Sequence, residues 1–160
     1  MSDHQHILDA IDSCISQSDL DWKTRLDTIC KLLREAIPHY NWVGFYFANH
    51  QTKTLHLKAF SGIPTDHTEI PFGKGICGQV ALSNENFVVP DVQAQDNYIA
   101  CDIAVRSELV VPLFVDGINV GQIDIDSNAL DPFQKSDEIL CQAVTEKVAR
   151  FIPNTIYTLP

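Results

Sequence analysis

Ile7, Leu8, Ile11, Cys14 and Ile15 recur at helical spacing, and Trp22, Leu26, Ile29, Cys30, Leu33 and Ile37 repeat the pattern. Two amphipathic helices are therefore predicted, over residues 6–16 and 20–37. Pro38 ends the second, because proline lacks the amide and restricts the residue before it. The period then changes to two. Between residues 40 and 48, Tyr40, Trp42, Gly44 and Tyr46 share one face while Asn41, Val43, Phe45 and Phe47 share the other, the pattern of a half-buried strand with an aromatic face. A polar turn at 49–53 joins it to a second strand, 54–60, as a hairpin.

Residues 61–74 are rich in Gly, Pro, Thr and Asp and are expected as loop, followed by a short helix entered through glycines at 75, with Cys77 near its start. A strand at 86–89 precedes a loop from 90 to 107, which is long for a compact domain and therefore a candidate functional segment. Cys101 lies in it. Strands 108–115 and 118–126 flank Asp116-Gly117, and residues 134–152 give a closing helix that carries Leu140, Val144, Val148 and Phe151. This order predicts an α+β layer architecture, an antiparallel sheet with helices packed on it. The tail, 153–160, is expected to be ordered only where something docks it.

The last hairpin has a register problem. A two-residue Asp-Gly loop that sets Val115 opposite Ile118 would, if continued, mix core and solvent residues on each face. A three-residue loop, 115–117 with Gly117 left-handed, instead sets Phe114 opposite Ile118 and Glu108 opposite Asp124. Leu109, Val111, Leu113, Gly121, Ile123 and Ile125 then take one face, and Glu108, Gln122, Asp124 and Asp126 crowd the other. Like charges placed opposite each other destabilise a sheet, so such a cluster points to a cation, a shared proton or a ligand amine. A solvated acidic surface is the plain alternative. A divalent metal suits aromatic and cysteine neighbours poorly.

Composition narrows the classes. The chain has 160 residues, of which 45% are hydrophobic, enough for one folded domain without staples. Its formal net charge of −10, with only 11 Lys and Arg, argues against nucleic acid and anionic membrane as partners. No leader pattern opens the chain and no apolar run reaches the length of a membrane span, so a cytoplasmic location is expected. Five cysteines at irregular spacing suit a reducing compartment and form no zinc motif. Cys14, Cys30 and Cys141 fall on helix faces as packing residues. His4 and His6 are expected to be solvated, and the glycines at 73, 75 and 78 to serve turn geometry, because the Lys-Ser/Thr ending of a phosphate loop is missing.

Five segments in order carry a resemblance: Asn41-Trp42-Val43-Gly44-Phe45-Tyr46, Gly73-Lys74-Gly75-Ile76-Cys77-Gly78, Ile99-Ala100-Cys101-Asp102, Ser107-Glu108-Leu109-Val110-Val111-Pro112-Leu113 and Gly121-Gln122-Ile123-Asp124-Ile125-Asp126-Ser127. The chain resembles free methionine-R-sulfoxide reductases, which are single GAF domains. The resemblance implies one GAF domain over 1–160, with N-terminal helices at 1–37, sheet and active-site loops at 40–127 and a C-terminal helix at 134–152. The sheet would be central, antiparallel and of about six strands, with helices on both sides. It further implies Cys101 as nucleophile, Cys77 as a second redox cysteine, and Trp42, Tyr46, Glu108, Asp124 and Asp126 as walls of a pocket for free methionine sulfoxide. Thioredoxin as reductant and a homodimer complete the family picture, with no cofactor and no metal. Many members carry a further cysteine ten residues before Cys77, where this chain has His67.

The chemistry that follows is attack by the Cys101 thiolate on the sulfoxide sulfur while a protonated carboxyl, Glu108, gives its proton to the oxygen. Crowding of three carboxylates keeps at least one protonated near neutral pH, and also raises the pKa of a nearby thiol. With His67 in place of the usual cysteine, Cys77 is the internal thiol for resolving the Cys101 sulfenic acid, and an external thiol is the alternative. Two other functions compete: a non-catalytic GAF sensor of a small molecule, and a redox sensor in which Cys77 and Cys101 oxidise. A sensor usually adjoins an output domain, for which 160 residues leave no room.

Overall fold

The computed structural model describes residues 4–95 and 104–160. The elements run α1 (Gln5–Ile15), α2 (Trp22–Ala36), β1 (Trp42–Asn49), β2 (Thr54–Ser61), β3 (Glu69–Pro71), α3 (Gly75–Ser83), β4 (Phe87–Val89), β5 (Ser107–Val115), β6 (Ile118–Ser127) and α4 (Lys135–Ala149), with one 3-10 turn at Val92–Ala94. The α+β class predicted from the periodicities is the class observed.

Six strands form one antiparallel sheet in the order β3-β2-β1-β6-β5-β4. Helices α1, α2 and α4 cover one face, burying Ile7, Ile11, Leu26, Ile29, Leu33, Leu140 and Val144 against Val43, Phe45, Leu109, Val111, Ile123 and Ile125. Helix α3 covers the other, where Ile76, Cys77 and Val80 meet Trp42, Tyr46 and Val110. Cys14, Cys30 and Cys141 are buried in the helices that pack on the first face, as their spacing predicts.

Local chemistry sets the helix ends. Asp21 caps α2 by accepting the Thr24 amide at 2.7 Å, and at the far end Ile37 is already extended ahead of Pro38. α4 opens on a capping box in which Asp137 Oδ2 accepts the Gln134 amide at 2.8 Å, while its other oxygen accepts the Tyr40 hydroxyl at 2.6 Å. That one buried carboxylate ties the start of α4 to the α2–β1 turn.

Three expectations need correction. β1 is not half-buried: all residues from Trp42 to Ala48 are enclosed, because α3 covers the face that would otherwise meet water. The segment 61–74 is not all loop, since Glu69–Pro71 pairs with β2 as an edge strand. The β5–β6 hairpin also has the tighter turn. Asp116 and Gly117 both have positive φ, at 51° and 79°, the signature of a two-residue type I′ turn, and Val115 does face Ile118.

A bulge in β6 then restores the alternation. Leu113 faces Gly121 and Phe114 faces Asn119, so Val120 is the extra residue. Asn119 pins it, accepting the Gly121 amide and donating to the Val80 carbonyl of α3. The facial sorting of the strands is therefore the predicted one, but Glu108 pairs with Asp126 and Val110 with Asp124, a register two residues away from that expected.

The tail docks on the sheet. Beyond Phe47 the strand β1 has lost β6 as a neighbour, and Thr158 takes its place, donating its amide to Ala48 O and accepting the His50 amide. Ile156 is buried there.

Candidate active site

On the α3 face the register stacks the candidate side chains in two cross-strand rows. Trp42 of β1, Asp126 of β6 and Glu108 of β5 are successive partners in one, and Gly44, Asp124 and Val110 in the next. Glu108, Asp124 and Asp126 are 4%, 1% and 1% exposed, so the acid-rich face is no solvated surface. Gly44 leaves the space into which Trp42 leans: a Cβ there would stand 2.3 Å from the indole ring. The ring stacks on Phe60 at 5.9 Å and lies 6.5 Å from Tyr46.

Both aromatics are held by their polar ends. Trp42 Nε1 donates to the Ile63 carbonyl at 3.0 Å, and the Tyr46 hydroxyl to the His67 carbonyl at 2.8 Å, so the rings anchor the β2–β3 loop. The single indole N–H is thereby committed, which leaves Trp42 to act as an apolar wall.

Cys77 enters from above, in the first turn of α3. Gly73 and Gly75 take positive φ (88° and 61°) in the loop that leads into this helix, the turn role expected of them. Gln122 of β6 donates to the Cys77 carbonyl at 3.1 Å and fixes the helix over the acids. The thiol then lies 3.2 Å from Asp124 Oδ2 and 3.8 Å from Glu108 Oε2. These three residues also form a set with the geometry to hold a metal ion, their ligand atoms all lying within 4.8 Å of one another. A narrow cavity borders the cluster, lined among others by Tyr46, His67, Lys74, Cys77, Glu108 and Asp124, with free interior for about one water-sized body.

Burial dominates the electrostatics. It pushes the Cys77 thiol well above its ordinary value, and the Asp124 and Glu108 charges push in the same direction. Asp124 is also raised by burial, partly opposed by hydrogen bonds with Glu108 and Cys77. Its second oxygen, Oδ1, is buried without a hydrogen-bond partner. Such an atom costs free energy and is available to a donor.

The structure thus brings together Trp42, Tyr46, Cys77, Glu108, Asp124 and Asp126, all expected as site residues. Cys101 lies outside the described residues. Sequence reasoning missed Gly44 as the space for the indole and Gln122 as the tie to α3. The aromatic at 42 beside a glycine at 44 on one strand face was the available signal for the first.

The sequence matches the GAF domain family over residues 19–152. It is 37% identical over 136 residues to protein YtsP of Bacillus subtilis, spanning 85% of this chain and 82% of that one. It is 35% identical over 126 residues to the free methionine-R-sulfoxide reductase of Escherichia coli, spanning 79% and 74%. The free methionine-R-sulfoxide reductase of Neisseria meningitidis, solved in complex with its substrate, superposes with a TM-score of 0.85 at 35% identity, covering 92% of this chain and 86% of that one. The chain belongs to the GAF domain family, in the group that holds the free methionine-R-sulfoxide reductases.

Proposed function

We propose that this protein reduces free L-methionine-(R)-sulfoxide to methionine, with Cys101 as nucleophile and thioredoxin as the recycling reductant. The observation that carries this is the buried set of three carboxylates beside a fixed aromatic wall and a thiol. Burying carboxylates is costly unless something repays it, and the ammonium of a free amino acid does so. Trp42 and Tyr46 enclose the methyl end, and the R preference and restriction to the free amino acid rest on the relatives.

The Cys101 thiolate attacks the sulfoxide sulfur and forms an S–S bond while Glu108 delivers a proton to the sulfoxide oxygen. The hydroxyl then passes to the Cys101 sulfur as the S–S bond breaks, so that methionine leaves and Cys101 holds the oxygen as sulfenic acid. Cys77 then attacks that sulfur; its proton passes by way of Asp124, which already accepts the thiol hydrogen bond, to the leaving hydroxyl, and water is lost as the disulfide forms. Two electrons from thioredoxin restore both thiols. The Cys77 step suits a chain with His67 at the position where the family resemblance implies a further cysteine. A cytoplasmic homodimer of this one domain is the expected form.

The test is reduction of free methionine-R-sulfoxide with thioredoxin or dithiothreitol, on wild type and Cys101→Ser. Turnover that disappears in Cys101→Ser is expected. Absence of turnover with both reductants would overturn the reading and leave a binding-only sensor.

A further inference from the structure

Cys77, Glu108 and Asp124, which have separate parts in the proposed reduction, also place one sulfur and two carboxylates at the spacing of ligands around a single ion. For a tetrahedral ion bound at about 2.3 Å to sulfur and about 2.0 Å to oxygen, neighbouring sulfur and oxygen ligands stand ~3.5 Å apart. Cys77 Sγ is 3.2 Å from Asp124 Oδ2 and 3.8 Å from Glu108 Oε2, on either side of that distance. A second observation points to a ligand in the same place. Asp124, 1% exposed and lining the cavity, has Oδ1 without a hydrogen-bond partner.

We propose that the reduced protein captures one zinc-class divalent cation through Cys77 Sγ and the carboxylates of Glu108 and Asp124, and that the captured ion inhibits the site. The expectation that cysteine suits a divalent metal poorly holds for Mg²⁺ and Ca²⁺, which take oxygen only, whereas a thiolate among the ligands selects Zn²⁺ and its neighbours. The three protein ligands leave a fourth position facing the cavity, where water completes the shell. Gln122 holds the Cys77 backbone, so the sulfur donor is positioned before the ion arrives. No electrons move in this step. The thiol proton, with any proton held between Glu108 and Asp124, leaves to solvent as the metal–ligand bonds form. While the ion is bound, the Cys77 sulfur is held in the metal–ligand bond with its nucleophilicity damped, and Glu108 has no proton to give, so turnover stops until a chelator removes the metal.

Co²⁺ added to the reduced, metal-free full chain tests this, since its spectrum reports both geometry and thiolate ligation. One equivalent is expected to give tetrahedral visible bands and a thiolate charge-transfer band, both abolished when Zn²⁺ displaces it. Cys77→Ser should lose the charge-transfer band, Asp124→Asn should weaken binding at least about tenfold, and Cys14→Ser should change neither. A purely six-coordinate spectrum, or a thiolate band that survives in Cys77→Ser, overturns the proposal. Should Cys77→Ser fail to fold, unchanged affinity in the nearly isosteric Asp124→Asn overturns it equally. Competition by methionine sulfoxide and loss of turnover on metal addition, reversed by a chelator, are also expected, and these two arms rest on the reductase proposal. Turnover without metal capture defeats the metal site and spares the reductase, whereas capture without turnover does the reverse.

Discussion

Along β1, Val43, Phe45 and Phe47 point into a core shared with α1, α2 and α4, whereas Trp42 and Tyr46 face α3 together with Glu108, Asp124 and Asp126. The same alternation divides β6, where Ile123 and Ile125 go to the first face and Gln122, Asp124 and Asp126 to the second. Both faces are dry, but only one is apolar. The first gains from every buried atom, while the second gives up part of that gain to keep three acids and a thiol out of water. On the proposed function, the two-sided sheet separates the task of folding from the task of chemistry, with neighbouring residues on one strand assigned to each.

The sharpest way to break this division is to exchange the consequences. Phe45, fully buried on the first face, should lose about 3–5 kcal/mol of stability on Phe45→Ala, read as a drop in the urea midpoint. Asp124, one row away on the other face, should behave oppositely: Asp124→Asn lowers turnover at least about 10²-fold and leaves the urea midpoint equal or higher. A variant at Asp124 that unfolds the protein as Phe45→Ala does would erase the distinction.

The same residue gives a signed pH dependence. Its carboxyl is raised by burial above the ordinary aspartate value of 3.8, so the native state holds a proton that the unfolded chain releases as pH rises. That stabilisation is complete below 3.8 and is lost as pH climbs through the raised native value. Wild type should therefore lose stability relative to Asp124→Asn from pH 4 toward neutrality. Urea midpoints of the two proteins across that range cancel the contributions of the other acids, and a difference that stays flat with pH would contradict the raised value.

Gly44→Ala probes the boundary between the faces. The added methyl would meet the Trp42 ring at 2.3 Å and drive it out of its stack on Phe60. Displacement of a wall by a fraction of an ångström is expected to reduce kcat/KM by roughly tenfold or more. Trp42→Phe, which needs less room, should partly rescue activity when combined with it; failure of that rescue would place the defect in the backbone instead.

How much of this was legible in the sequence follows from where each contact originates. The helices and the facial sorting of β5 and β6 were readable because periodicity is local, and the three acids share a face as expected. The register was not, although parity survived. Val120 bulges because Asn119 reaches Val80 of α3 and Asn84 at the end of that helix, more than thirty residues away, and no local pattern encodes that. β3 was illegible for a similar reason: three residues ending in Pro71 become a strand only because the β2 edge is there to pair with. The candidate residues were identified individually, but the approach of Cys77 to Asp124 depends on Gln122 holding α3 down.

The smallest effect expected lies on the far side of the folding face. Lys147 of α4 donates to Asp12 of α1 at 2.6 Å, with the lysine side chain only 19% exposed and the aspartate 53% exposed. Because one partner is largely solvated, the pair should contribute no more than about 0.5–1 kcal/mol. A double-mutant cycle of Lys147→Met with Asp12→Ala should recover that coupling in urea melts and show it shrinking at high salt. Neither residue touches the α3 face, so turnover should be unchanged in both variants. Coupling to activity here would mean that α1 and α4 transmit strain through the sheet, and the two faces would no longer be independent.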